Sequence, residues 1–436
     1  MNKTKIWRRW TASLLLCPLA ALAQPAGEPP RPAAAPPAIA TAADEAGTAY
    51  TLEALVQLVL THNPALQGAR SARAQAEAGI RSAGALPNPR LEISDGRQRP
   101  NGPTGTSGNI TGWGVSQLIE NPWLRSARVD AAEQGLRSSE AQLGLTRSEV
   151  VAQVKLRAYE VLLRIEESRA ADDELQLLEQ TRDRVRVRVD SGEAARYEII
   201  KAEAEFISAR QRQQTAQLSV EQARIRLNQL AGGQLPLGWT LNARLDDAQP
   251  PVQAPLLREQ LLGTNPELQS LRAQLERQQA RVREASASRW PGVELRYNDL
   301  RDPDNRQGMI GASIQIPLLD QKRGPRAEAE AEATRARTRL EARQIELQLQ
   351  LDSAVMALEM ARLRVEALGT GAIRDAEAAV RVAQAAYRFG ERGILDVLDA
   401  QRVLRTVRGD LLQARYQQQA AAIEIDLLTG RDAVQP

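Results

Sequence analysis

Residues 60–70 read LTHNPALQGAR, and residues 262–272 read LGTNPELQSLR. Shifted by 202 positions, Leu60, Asn63, Pro64, Leu66, Gln67 and Arg70 fall on Leu262, Asn265, Pro266, Leu268, Gln269 and Arg272. Pro89 and Glu92 fall on Pro291 and Glu294 by the same shift. Further along, the shift becomes 198. Gly192, Glu193, Ala202, Ala223, Ile225, Leu230 and Gly232 then fall on Gly390, Glu391, Ala400, Ala421, Ile423, Leu428 and Gly430. A shift held over so long a stretch marks an internal duplication, so the chain is two copies of one plan.

Each copy has the same order of elements. A helix breaks at Asn63-Pro64 and again at Asn265-Pro266, because proline disfavours helix in the residue before it. Two short alternating runs follow. Val293, Leu295 and Tyr297 alternate with Glu294 and Arg296, and Ile310, Ala312, Ile314 and Ile316 alternate with Gly311, Ser313 and Gln315, the period of a strand. The first copy repeats this more weakly around Leu91 and Ile93 and from Ile110 to Ile119. Turn-rich loops, GRQRPNGPTGTSGN (96–109) and NDLRDPDNRQG (298–308), join each pair of strands. A very long helix comes next, from about Pro122 to Val189 and from about Arg326 to Arg388. In the second, Leu347, Leu351, Ala354, Leu358, Ala361, Val365 and Leu368 step by four and three residues, a coiled-coil seam. A Gly turn and a shorter helix close each copy, over 194–231 and 394–429. The expected fold is mainly α with a small β part. Its domains are a first repeat at 51–232, a linker at 233–251, a second repeat at 252–431 and a tail at 432–436.

The ends and the composition narrow the function. Lys3, Lys5, Arg8 and Arg9 precede the apolar run 14–22 and the small residues Ala21 and Ala23, the pattern of a secretory signal over 1–23. Cys17 follows Leu16, where lipoprotein processing wants a small residue, so lipidation is not expected. Removing the signal takes the formal charge from +3 to −1, and with it the main support for a nucleic-acid partner. Residues 24–50 are rich in Pro and Ala and read as a flexible arm. One Cys and one His are too few for a zinc or Cys/His catalytic centre, so neither an enzyme nor a cofactor is expected. His62, beside the Asn-Pro break, reads as structural. Trp113 and Trp123 flank a strand end, at a lipid interface or simply packed.

The strand runs have the length of tilted membrane strands, about 9–11 residues. Four strands cannot close a barrel, and an open sheet edge does not survive in lipid. Either several chains share one barrel, three chains giving twelve strands, or the strands never enter a membrane. The long helices reach on the order of 100 Å at about 1.5 Å per residue, enough to bridge the space between two membranes. A periplasmic coiled coil carrying two small hairpins fits the pattern as well.

The Asn63–Leu66 and Asn265–Leu268 motifs, Gly114-Val115-Ser116-Gln117 and the stretch YRFGERGILDVLDA (387–400) together resemble the TolC-like outer membrane efflux proteins. ALPNPRL (85–91) looks like the branch serving heavy-metal pumps for cobalt, zinc, cadmium or nickel. The resemblance implies a homotrimer with a 12-stranded barrel in outer membrane lipid and a helical tunnel in the periplasm. It also implies docking to a periplasmic adaptor and an inner-membrane RND-type transporter. A duct for drug efflux or type I protein secretion is the alternative within the family.

The resemblance also points to the tips. Asp396 and Asp399 sit three apart just past the second Gly turn, on one helix face. In a trimer they form two carboxylate rings at a pore constriction, with Arg392 and Tyr387 in contacts that keep it closed. The other reading is that acidic residues in a first turn favour the helix dipole. Glu198 stands in the first copy where Asp396 stands in the second, and Lys201 where Asp399 does, so the inner ring is not doubled. Gly192, Glu193, Gly390 and Glu391 mark the two turns, read as adaptor-docking tips or as turn geometry alone.

Overall fold

The computed structural model of the protein describes residues 49–99, 101–102, 106–236, 238–246 and 254–431. The expected signal, Cys17, nearly all of the arm, part of the linker and the tail lie outside the described residues.

Both copies are built from the same pieces. The first runs β1 (Ala49–Tyr50), α1 (Leu52–His62), α2 (Pro64–Gly84), β2 (Arg90–Gln98), β3 (Gly108–Ile119), α3 (Pro122–Asp190) and α4 (Arg196–Leu230). The second runs β4 (Thr240–Leu241), α5 (Ala254–Thr264), α6 (Pro266–Ala287), β5 (Val293–Arg301) and β6 (Arg306–Ile314). It continues with α7 (Arg323–Ala367), a π-helical turn (Leu368–Ala372), α8 (Ile373–Arg388) and α9 (Ile394–Thr429). The longest element, α3, reaches about 100 Å at a rise of about 1.5 Å per residue.

The Asn-Pro breaks are joints. Asn63 accepts from the backbone N–H groups of Ala65 and Leu66 and so caps α2, while Pro64 supplies the first helical residue that needs no donor. The Asn63 amide nitrogen donates to the Leu230 carbonyl at the end of α4, 3.0 Å away. Asn265 repeats this at the head of α6, accepting from Leu268 and donating to the Leu428 carbonyl of α9 at 2.8 Å. Arg70 and Arg272 close each joint by donating to the carbonyls of Leu60 and Leu262. The residues that revealed the duplication therefore tie three helix ends together in each copy.

Two matching cores lie at these joints. In the first, Leu55 and Val59 pack with Val150, Val154, Val161 and Leu227. In the second, Leu257 and Leu261 pack with Leu347, Leu351, Leu358 and Ile425. The linker is partly drawn into the fold. Trp239, Leu235 and Leu245 are buried, and β4 pairs in parallel with β1, so Ala49 and Tyr50 belong to a strand and not to the arm. Burying those three apolar side chains is what removes the linker from solvent.

The second long helix is not continuous, although its seam suggests that it is. It begins at Arg323 and is broken by the π-helical turn. Below the turn the buried line resumes at Ile373, Ala376, Val380, Ala383 and Tyr387. The step from Leu368 to Ile373 is five positions where the seam needs four. A π turn absorbs one extra residue without rotating the helix beyond it. The two copies record the same event. Leu340, Leu347, Leu351 and Leu358 match Leu143, Val150, Val154 and Val161 at a shift of 197, whereas Ile373, Ala376 and Tyr387 match Leu175, Leu178 and Val189 at 198.

The four longer strands form one antiparallel sheet in the order β2-β3-β5-β6. Register aligns Leu91, Val115, Tyr297 and Ile310 across all four strands, with Ile93 beside Trp113 and Leu295 beside Ala312. The opposite face carries Glu92, Gly114, Asn298 and Met309 in one row and Arg90, Ser116, Arg296 and Gly311 in another. The apolar face is bare: Ile93 is 79% exposed and Ile310 88%. Trp113 packs on Tyr297 at 5.4 Å, whereas Trp123 stands 73% exposed. No helix among the described residues is long and apolar enough to cross a membrane.

Candidate functional site

The two hairpins at the far ends of the long helices carry the residues singled out by sequence. Gly192 and Gly390 both have positive φ, in a region that side chains with a Cβ avoid. Each closes a Schellman motif. Gly192 donates to the Val189 carbonyl and Glu193 to that of Arg188, while Gly390 donates to Tyr387 and Glu391 to Ala386. Glu193 and Glu391 are exposed on these turns.

Beneath the turns the hairpins pack on each other. Leu178, Val185 and Ala202 of the first copy meet Tyr387, Ile394, Val397 and Leu398 of the second. Tyr387 is the polar member of this core, only 6% exposed. Its hydroxyl donates to Glu198 at 3.0 Å, and the Arg188 guanidinium stacks over its ring at 4.6 Å and donates to its carbonyl at 2.8 Å. Burial first, then the hydrogen bond and negative charge of Glu198, push the Tyr387 hydroxyl up to about 12, against an opposing pull from Arg188. Further up, Gln401 donates to the Thr181 hydroxyl at 3.2 Å and Arg402 pairs with Glu205 at 2.6 Å. Polar ties as well as apolar packing thus link hairpin one to hairpin two.

Glu198 is therefore placed differently from Asp396. The equivalence of the two positions suggests matching carboxylates, but Glu198 is half-buried and turned to Tyr387, because the tyrosine offers it a donor inside the hairpin contact. Asp396 and Asp399 are both exposed, on the face of α9 opposite the buried Val397 and Leu398. Arg392, in the turn that precedes α9, pairs with Asp396 in the first turn of that helix at 3.6 Å, and not with the other hairpin. Asp399 makes no ion pair or side-chain hydrogen bond with a described residue. Lys201 lies over the Tyr197 ring at 5.7 Å. Sequence reasoning missed Arg188, Glu205 and Arg402. Local spacing does not mark them, because each acts on a residue of the other copy: Arg188 on Tyr387, and Arg402 on Glu205.

No group of His, Cys, Asp and Glu among the described residues is arranged to hold a metal ion. His62 bonds through Nδ1 to the Leu58 carbonyl at 3.0 Å, within its own helix. The tips thus present the exposed carboxylates of Glu193, Glu391, Asp396 and Asp399 around the buried Tyr387 contacts.

The sequence profile of the outer membrane efflux protein family matches residues 55–233 and 257–431, one match per copy. The chain is 30% identical over 389 residues to the cobalt-zinc-cadmium resistance protein CzcC of Cupriavidus metallidurans, covering 89% of this chain and 91% of that protein. Among solved structures it is similar to CusC, with a TM-score of 0.75 and 18% identity over 87% of this chain and 92% of that one. It is similar also to the outer membrane protein VceC of Vibrio cholerae, with a TM-score of 0.71 and 19% identity over 87% and 96%.

Proposed function

The chain belongs to the outer membrane efflux protein family, and from that premise we propose that three copies close into one passive duct, the exit of a tripartite system that exports divalent heavy-metal cations such as cobalt, zinc, cadmium or nickel. The observation that carries this reading is the sheet: one bare apolar face, one polar face and two unpaired edges, β2 and β6. Pairing β6 of one copy with β2 of the next removes every edge and makes twelve strands, within the range of outer membrane barrels. Lipid then covers Ile93 and Ile310, and the row with Arg90, Ser116 and Arg296 faces the lumen. The barrel sits in the outer membrane and the long helices extend into the periplasm.

In this duct the Asp396 and Asp399 carboxylates ring the narrow end and favour cations. The tie from Tyr387 to Glu198 holds that end shut. The turns at Gly192 and Gly390, with Glu193 and Glu391, meet a periplasmic adaptor, and an RND-type inner-membrane pump supplies the energy. The chain itself hydrolyses nothing. Similarity to CzcC supports a metal as the cargo.

The test is conductance across a planar bilayer, comparing the purified wild type with Asp396→Ala/Asp399→Ala. The expected result is a small cation-selective pore whose selectivity falls in the double variant. Absence of conductance together with a monomeric mass in detergent overturns the duct. Deletion that leaves tolerance to every divalent metal unchanged overturns the metal cargo.

A further inference from the structure

Helices α2, α3, α6 and α7 stand in a row in the same order as the strands, each packed on the next. One cavity of about 340 Å³ is lined by residues from all four. A row whose outermost members share a cavity must curve, and this cavity lies on its concave side. Small residues make the room: Ala69 and Ala72 on α2, and Ser138 and Ser139 on α3.

The charges in it are unbalanced. Arg277 of α6 and Arg335 and Arg339 of α7 line it, against one carboxylate, Glu332. Glu332 is already engaged with Arg281, at 3.7 Å. None of the other three arginines makes an ion pair or side-chain hydrogen bond with a described residue. Arg335 and Arg339 are one turn apart on the same helix face, and Arg277 faces them from the neighbouring helix. Burial, then the charge of Arg281, hold the Arg277 guanidinium below its ordinary value, the signature of a cation without its counter-ion. Gln142, Gln274, Gln278 and Ala336 complete the lining. That combination suits a ligand with several acceptor oxygens.

We propose that this concave cradle binds a small dissolved oxyanion of the phosphate class, held by Arg277, Arg335 and Arg339. Guanidinium forks match such oxygens in pairs. The site is complete within one chain and does not rest on the channel reading. In the trimeric duct, three cradles line the tunnel between the barrel and the acidic tips, so exported cations pass a belt that retains anions.

The test is titration calorimetry of inorganic phosphate into the full chain, purified in detergent at low ionic strength. Binding is expected, and it should weaken as salt is added. Arg335→Gln and Arg339→Gln, both at exposed positions, should each weaken it roughly tenfold. Arg337→Gln, on the same helix but off the cavity, should leave it unchanged. No phosphate binding by the wild type, or equal binding by the Arg335→Gln/Arg339→Gln double variant, overturns the proposal. Binding of phosphatidic acid vesicles through the same arginines without binding of free phosphate assigns the cradle to a lipid headgroup and likewise overturns it. The readout is binding by folded protein, so a chain that failed to conduct would leave the result standing.

Discussion

The Tyr387 hydroxyl and the Glu198 carboxylate meet at 3.0 Å although 189 residues separate them along the chain. Each belongs to a different copy of the duplicated plan, so this bond joins the two hairpins. Tyr387→Phe keeps the ring, and with it the stacking of Arg188, and removes only the donor. A hydrogen bond to a charged acceptor contributes about 1.5–3 kcal/mol. The expected outcome is a folded protein whose tip opens more readily, read as a rise in single-channel conductance. Unchanged conductance would mean that the bond does not hold the tip.

The same bond sets a pH window. The Tyr387 hydroxyl is raised from 10.0 to about 12 in the folded chain. The folded protein therefore keeps this proton where the unfolded chain gives it up. Its contribution is fully present below pH 10 and is lost as pH rises toward 12. Unfolding temperatures should fall over that interval by more in the wild type than in Tyr387→Phe. Equal slopes would sink the assignment.

Ile310 and Ser313 lie on opposite faces of β6. A lysine on the lipid face of a barrel costs about 2–4 kcal/mol near the bilayer midplane, and one on the luminal face far less. Ile310→Lys should block recovery of the protein in outer membrane fractions, whereas Ser313→Lys, opposite Glu294, should not. Equal recovery of the two would argue against a membrane sheet.

The π-helical turn makes a deletion test possible. Removing Gly371 returns the step after Leu368 to four positions and leaves Tyr387 facing the same way. The variant should fold with an uninterrupted helix and keep a thermal midpoint close to that of the wild type. Deleting Glu341, within the regular part of α7, rotates everything below it and should destabilise strongly. Thermal unfolding of the two variants decides, and equal losses would refute the one-residue account.

Asn265→Ala removes the cap of α6 and a donor to the Leu428 carbonyl. A lost cap costs about 0.5–2 kcal/mol, and an orphaned buried carbonyl adds about 1–3 kcal/mol. Asn63→Ala should cost similarly, since its joint has the same bonds. A fall in thermal midpoint for one and not the other would break the equivalence of the copies.

Much of this was legible in the residues. The duplication, the Asn-Pro joints, the strand pairs and the long helices are each written in local spacing, which is where helix and strand periods act. The π turn was not read from the seam, whose regular steps of four and three end at Leu368; the step of five to Ile373 is the mark it leaves. The short pairing of Ala49–Tyr50 with Thr240–Leu241 was not legible either, because strands this short carry no period and the two lie far apart along the chain. At the tip, the residues were found but not their partners. Glu198 and Asp396 occupy equivalent positions, yet one faces Tyr387 and the other solvent, a difference made by which hairpin lies alongside. Arg188 left no mark at all, since it acts on Tyr387 from a separate helix.

In a closed ring of six identical hairpins, every contact between neighbours would be the same one, repeated six times. In the proposed trimer, fusing two copies into one chain lowers the rotational symmetry of such a ring from sixfold to threefold and lets alternate hairpins differ. The contact between the two hairpins of one chain, where Tyr387 meets Glu198, need not then be repeated between chains. In mechanical terms, the first hairpin is free to become a stator and the second a shutter. Glu198, held by Tyr387, and Asp396, open to solvent, already differ in this way.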